Sequence, residues 1–285
     1  MASNPVFNRI DKQITAGGYV GFDRQSAAPR TRGGANVQDS VNSEQLQDLY
    51  NQPSAGPVQR GQVTLDDVVM KTLGLFSIVV AVGAVSWFVV VDKPGLSLPM
   101  MLGGMVGSLA LGLVIAFKKT ISVPLIVLYS VLEGVLVGAI SSVFDRMFPG
   151  TGIVTTAVIA TTATFAGMFL GWKVGLIKVT DKSRRIFGMA IMGYLLFSLV
   201  NVAAAFMGVG AGWGFGGKNS MLGIGISVLG VGLASYSLAI DFDSVDRAVK
   251  AKLPEKYSWL LAHGLIVTLV WLYLEILRLL ARLRQ

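Results

Sequence analysis

The chain has 285 residues, of which 53% are hydrophobic and 14% charged, with a formal net charge of +8. A soluble domain carries about a quarter charged residues, so this balance argues for lipid rather than water as the main solvent. With no cysteine and a single histidine, His263, the sequence excludes disulfides, thiolate metal sites, thiol nucleophiles and histidine-based metal clusters.

Residues 1–64 are rich in Gly, Ser, Asn, Gln and Pro, carry charges of both signs and show no hydrophobic period; Arg30-Thr31-Arg32-Gly33-Gly34 is typical. Such a composition cannot bury enough apolar surface to offset chain entropy, which predicts a disordered tail. The first 60 residues hold no apolar core of the signal-peptide kind, so insertion is expected to be driven by the first membrane helix. Thr64-Leu65-Asp66-Asp67 reads as the start of that helix, with Thr64 as cap and two acids in the first turn. Seven apolar segments follow, at about 68–91, 97–117, 122–144, 152–174, 185–208, 219–245 and 258–282. Each is near the roughly 20 residues that a bilayer requires. The expected fold is an all-α bundle of seven transmembrane helices over 65–285, behind a tail over 1–64.

Small residues run through the spans. Gly103, Gly104, Gly107 and Gly112 lie in the second, and Gly223, Gly225, Gly230 and Gly232 in the sixth. Gly103 and Gly107 form a GxxxG pair, which lets helix backbones approach closely in lipid and is read as packing within one bundle. The loops then set the orientation. Lys118 and Lys119 follow the second span; Lys173, Lys178, Lys182, Arg184 and Arg185 follow the fourth; Arg247, Lys250, Lys252 and Lys256 follow the sixth. The alternate loops offer only Lys93, Arg146 and Lys218. The positive-inside rule predicts a cytoplasmic N-terminus and an external C-terminus. The net charge is thereby explained by the loops, and no nucleic-acid partner is expected.

Ionisable groups inside a span are the best functional clues, because each costs several kcal/mol unless it is paired or hydrated. Three acids qualify: Glu133 in the third span, Asp241 late in the sixth and Glu275 in the seventh. Each also has a plain structural reading. Asp241, with Asp243 and Asp246, can mark the end of a helix. Glu275 can pair with Arg278 one turn on, and Glu133 can hydrogen-bond within the bundle as a neutral acid. The sharper reading brings Asp241 and Glu275 together, where two nearby carboxylates share protons and attract a hard cation such as Ca²⁺. In a straight hairpin turning near residue 253, the two acids are offset by roughly 15 Å at 1.5 Å per residue. They meet only if Tyr257 to His263 lie along the membrane interface, a position that suits the aromatic Tyr257 and Trp259.

The segments Ser235-Tyr236-Ser237-Leu238-Ala239-Ile240-Asp241 and Leu272-Tyr273-Leu274-Glu275 resemble the bacterial branch of the Bax inhibitor (BAX-inhibitor-motif) membrane protein family. Leu132-Glu133-Gly134 and the short Lys118-Lys119 loop agree with it in position, over about residues 65–283. Ser3-Asn4-Pro5-Val6-Phe7 is similar to the start of actinobacterial members. The resemblance implies a last helix surrounded by the other six, and a pH-sensitive Ca²⁺ leak gated by an acid pair that maps to Asp241 and Glu275. The second acid of the family is usually Asp, and the family's latching arginine after the second span is replaced here by Lys118 and Lys119, which lack its bidentate fork.

The leading expectation is a passive, pH-sensitive cation (Ca²⁺) leak in a bacterial plasma membrane. Asp241 and Glu275 are its ion-binding and pH-sensing groups, where Ca²⁺ binds transiently. Glu133, Asp243, Lys118, Lys119 and Arg278 are accessory. The alternative is a regulatory protein that binds and restrains a membrane protease or stress factor, with the tail as docking element. No enzyme activity and no cofactor are expected. The diacid of intramembrane proteolysis would need a Gly-x-Gly-Asp signature that is absent, and the glycine-rich run over 208–217 lacks the Lys-Ser/Thr of a phosphate loop.

Overall fold

The computed structural model describes residues 61–209 and 221–284. The expectations of a disordered tail over 1–60, and of a loop over 210–220, lie outside the described residues. Seven helices are long and apolar enough to cross a membrane. They are α1 (Leu65–Asp92), α2 (Ser97–Phe117), α3 (Val123–Met147), α4 (Ile153–Lys173), α5 (Asp181–Phe206), α6 (Met221–Lys250) and α7 (Tyr257–Leu283). A one-turn 3-10 helix, Pro94–Leu96, joins α1 to α2. The chain is a multi-pass membrane protein, and lipid is the solvent of its outer surface.

The helix ends follow from local chemistry. Thr64 accepts a hydrogen bond from the Asp67 N–H and starts α1 as expected. α5 begins at Asp181, earlier than the apolar pattern suggests, because Thr180 and Ser183 close a reciprocal capping box. α6 continues to Lys250, past the apolar stretch, carried by Asp243–Arg247 and Asp246–Lys250 pairs one turn apart. Residues 61–63, assigned to the tail by composition, pair with the α6–α7 loop through an isolated antiparallel bridge at Gln62 and Pro254. The Val63 N–H donates to the Leu253 carbonyl at 2.8 Å, and the Glu255 N–H to the Gly61 carbonyl at 2.7 Å. Val63 itself is buried in the core. Contact with the bundle is therefore made before the first span begins. Lys71 strengthens this clamp: its ammonium donates to Asp67 at 2.9 Å, to Glu255 at 3.3 Å and to Ser258 at 2.6 Å, and lies over the Trp259 ring.

α7 is the central element. Of its most apolar stretch 78% is buried, against 17–44% for the other six helices. It packs on α1, α3, α4 and α6, with α5 seated on α6 and α2 on α3. The last helix is thus central: four helices pack directly on its backbone, and α5 reaches it through the Tyr194 side chain.

Glycine decides how closely this wall packs. A Cβ on Gly138 of α3 would stand 2.1 Å from the Gly83 carbonyl oxygen of α1, so the two backbones touch where only glycine fits. On α2 the contact with α3 is made by Gly104, against Leu136, and Gly107, against Leu132. Gly103 faces open space, so the Gly103–Gly107 pair is not the packing motif. Many hydroxyls inside the helices are satisfied locally: Thr72 donates to the Val68 carbonyl, Ser141 to Val137 and Ser244 to Ile240, whereas the buried Ser142 hydroxyl has no partner. In hydrocarbon such internal bonding is favoured.

Candidate functional site

The three acids lie within the bundle at three separate places. Glu275, on α7, is fully partnered. Its Oε1 accepts from the Tyr194 hydroxyl of α5 at 2.7 Å, from the Trp271 indole at 3.1 Å and from the Arg278 guanidinium at 3.0 Å; its Oε2 accepts from Arg278 at 3.0 Å. The carboxylate is 3% exposed, whereas Arg278 is 46% exposed and reaches the bundle surface. Gly230 of α6 makes the room: a Cβ there would stand 2.5 Å from the Tyr194 hydroxyl and 2.7 Å from Glu275 Oε2. This is the ion pair of the plain reading, reinforced by two further donors.

Asp241 is the opposite case. It is 0% exposed, and neither carboxyl oxygen makes a hydrogen bond. Thr268 of α7 presents its hydroxyl to the carboxyl without closing a bond of good geometry, and Arg184, at the start of α5, is the cation that acts on it through space. The guanidinium of Arg184 itself pairs with Asp243, which also forms an ion pair with Arg247 at 3.3 Å. Asp243 thus anchors a basic cluster. Because Arg184 is nearly buried, the cluster sits at the edge of the bundle core rather than out in solvent.

Asp241 and Glu275 are not brought together. Glu275 faces Gly230, eleven residues before Asp241 on the same α6, which is about 16 Å of helix. The offset expected for a straight hairpin persists because α7 runs unbroken from Tyr257, and Tyr257 and Ser258 are buried in the core rather than laid along an interface. The proton-sharing pair is therefore absent in this conformation. Each acid answers to its own surroundings.

Glu133, on α3, accepts a short hydrogen bond from the Tyr129 hydroxyl one turn back, while its Oε2 is buried without a partner. The Tyr129 ring meets His263 of α7 edge-on at 4.4 Å, and the buried His263 Nδ1 also lacks a partner. Lys118 and Lys119 are exposed at the end of α2, the helix that packs on α3. On α6 it is Arg184 that stands beside the acids, pairing with Asp243. By position in the sequence Arg184 falls among loop charges; its place four residues after the Thr180 cap was the signal available. Thr268, Tyr194 and Trp271 were missed because single hydroxyls and indoles in apolar helices carry no pattern. Among the described residues no cluster of three His, Cys, Asp or Glu side chains could hold a metal.

Fold and site together define a seven-helix membrane protein built around a buried final helix, with isolated acids inside the bundle. The chain matches the family described as Bax inhibitor 1 like over residues 4–285, nearly its whole length, and it belongs to that family. The match extends into the tail, in keeping with the resemblance of Ser3 to Phe7. None of the curated proteins compared with it matches.

Proposed function

We propose that the protein is a passive, pH-sensitive cation leak, with Ca²⁺ as the permeant ion, in which Asp241 couples opening to protonation. The observation that carries this reading is the unpartnered carboxyl of Asp241 between α6 and the central helix. Neutral, it fits the packed bundle. Ionised, it would lie in low dielectric without a hydrogen bond, at a cost of several kcal/mol. That cost falls in any conformation that brings water or a cation to the carboxylate, so ionisation favours opening beside α7. A hard cation with a preference for oxygen ligands suits such a site, with the Thr268 hydroxyl and freed carbonyls as further ligands. The association of the family with Ca²⁺ leak activity supports the same reading. Glu275 enters it as an anchor that holds α7 to α5, and Glu133 as an accessory acid. No chemistry and no resident cofactor are needed.

The α2–α3, α4–α5 and α6–α7 connections, which carry the basic clusters, lie on the side where the first helix starts, and the positive-inside rule assigns that side to the cytoplasm of a bacterial plasma membrane. The N-terminus is then inside and the C-terminus outside. The test is Ca²⁺ influx into dye-loaded liposomes from pH 5 to 8. Flux that rises with pH in the native protein, and stays at its low-pH level throughout in Asp241→Asn, supports the reading. An Asp241→Asn variant with the native pH profile refutes it.

The clamp of residues 61–63 on the α6–α7 loop favours a second reading, in which a membrane protease or stress factor is restrained through the tail. Deleting residues 1–60 would abolish such binding and leave the leak intact.

A further inference from the structure

α1 and α4 both pack on α7 but stand apart from each other, leaving a groove of about 610 Å³ along the side of the bundle. Its walls are α1 from Thr72 to Phe88 and α4 from Val154 to Phe165; its floor is α3 and the Leu269, Val270 and Tyr273 face of α7. No charged side chain lines it. Five hydroxyls do, and each is already engaged. Thr72, Thr161 and Thr162 donate to carbonyls one turn back in their own helices, Ser141 donates to Val137, and Ser141 and Tyr273 bond each other at 2.7 Å. With these hydroxyls already donating inside the protein and the rest of the lining almost wholly apolar, the groove suits a hydrocarbon occupant.

The dimensions select among hydrocarbons. Thr72 and Phe88 are sixteen residues apart on α1, or about 24 Å of helix. Spread over that length, the volume of about 610 Å³ gives a mean cross-section of about 25 Å². That narrow mean width, an apolar lining and a side open to the bilayer match a single extended hydrocarbon chain, and a partner's transmembrane helix is the competing occupant that the experiment distinguishes. The groove is continuous with the lipid-facing surface: Phe76, Val80, Phe88 and Val158 on its rim are exposed. At one end Trp87 lies near the C-terminus of α1, at the depth where an indole favours the headgroup level.

We infer that this groove is a binding site for one acyl chain of a membrane phospholipid, with the headgroup at the Trp87 end. The chain fills the space beside the central helix that would otherwise be void, and it bears on the α7 segment between Thr268 and Glu275. The site does not depend on the leak reading; it requires only that the helices lie in a bilayer.

The experiment uses the full chain in phosphatidylcholine vesicles doped with a phospholipid carrying a diazirine on its acyl chain. After illumination, digestion and mass spectrometry locate the label. The expected result is severalfold more label per residue on groove positions such as Phe76, Val80 and Val158 than on lipid-facing α5 positions such as Met192 and Leu199, which are exposed to the same bilayer. Ala84→Phe and Val158→Trp each fill the groove from its open side, and each should abolish the excess while leaving α5 label unchanged. Even labelling of all lipid-facing helices overturns the proposal. So does an excess that survives in both variants when each remains folded by circular dichroism, or a cross-link to a second polypeptide in place of lipid.

Discussion

Glu275→Gln separates an acid that senses pH from one that holds the bundle together. The substitution keeps the shape of the side chain, and its carbonyl oxygen can still accept from Tyr194 and Trp271 at the 2.7 and 3.1 Å distances of the native pair. What disappears is the charge that accepts twice from Arg278 at 3.0 Å. A hydrogen bond to a charged group contributes about 1.5–3 kcal/mol when buried. Arg278 is 46% exposed, so solvent screening reduces that figure to about 1–2 kcal/mol. For a domain of this size such a loss lowers the thermal midpoint by roughly 2–8 °C. The assay pairs thermal unfolding in detergent with liposome Ca²⁺ flux from pH 5 to 8. The expected variant melts earlier, yet its flux keeps the native midpoint in pH, because Asp241 is untouched about 16 Å away along α6. A variant of native thermal stability whose flux no longer responds to pH would make Glu275 the sensor, and the reasoning from its completed hydrogen bonds would be wrong.

Arg184→Gln removes the cation that acts on Asp241, so ionisation of that acid loses support and the flux midpoint should move to higher pH; an unchanged midpoint would disconnect Arg184 from the gate. Gly138→Ala pushes a methyl to 2.1 Å from the Gly83 carbonyl oxygen and should cost about 3 kcal/mol or more, read as lost monodisperse protein, whereas Gly103→Ala, facing open space, should be neutral in the same assay. Lys71→Ala breaks the hub that joins Asp67, Glu255 and Ser258, and hydrogen exchange at the Val63 and Glu255 amides should accelerate while the amides of mid-α7 stay protected.

The number of spans, their limits to within a few residues, the Thr64 cap and the three intramembrane acids were all legible in the sequence. Hydrocarbon as solvent demands long uncharged stretches, and a charge inside one stands out against them. The Glu275–Arg278 pair was legible too, because it is local to one helix. Everything that depends on which faces meet was not. Gly104 rather than Gly103 packs against α3, and Gly230 rather than its glycine neighbours makes room for Glu275, since periodicity does not say which side of a uniformly apolar helix turns inward. Arg184 meets the acids of α6 because α5 is seated on α6, a contact that position in the sequence does not show. The separation of Asp241 from Glu275 was decided by tertiary structure alone: α7 begins at Tyr257 and stays helical through the core, so the hairpin offset is never taken up and the two acids remain on different levels of the bundle.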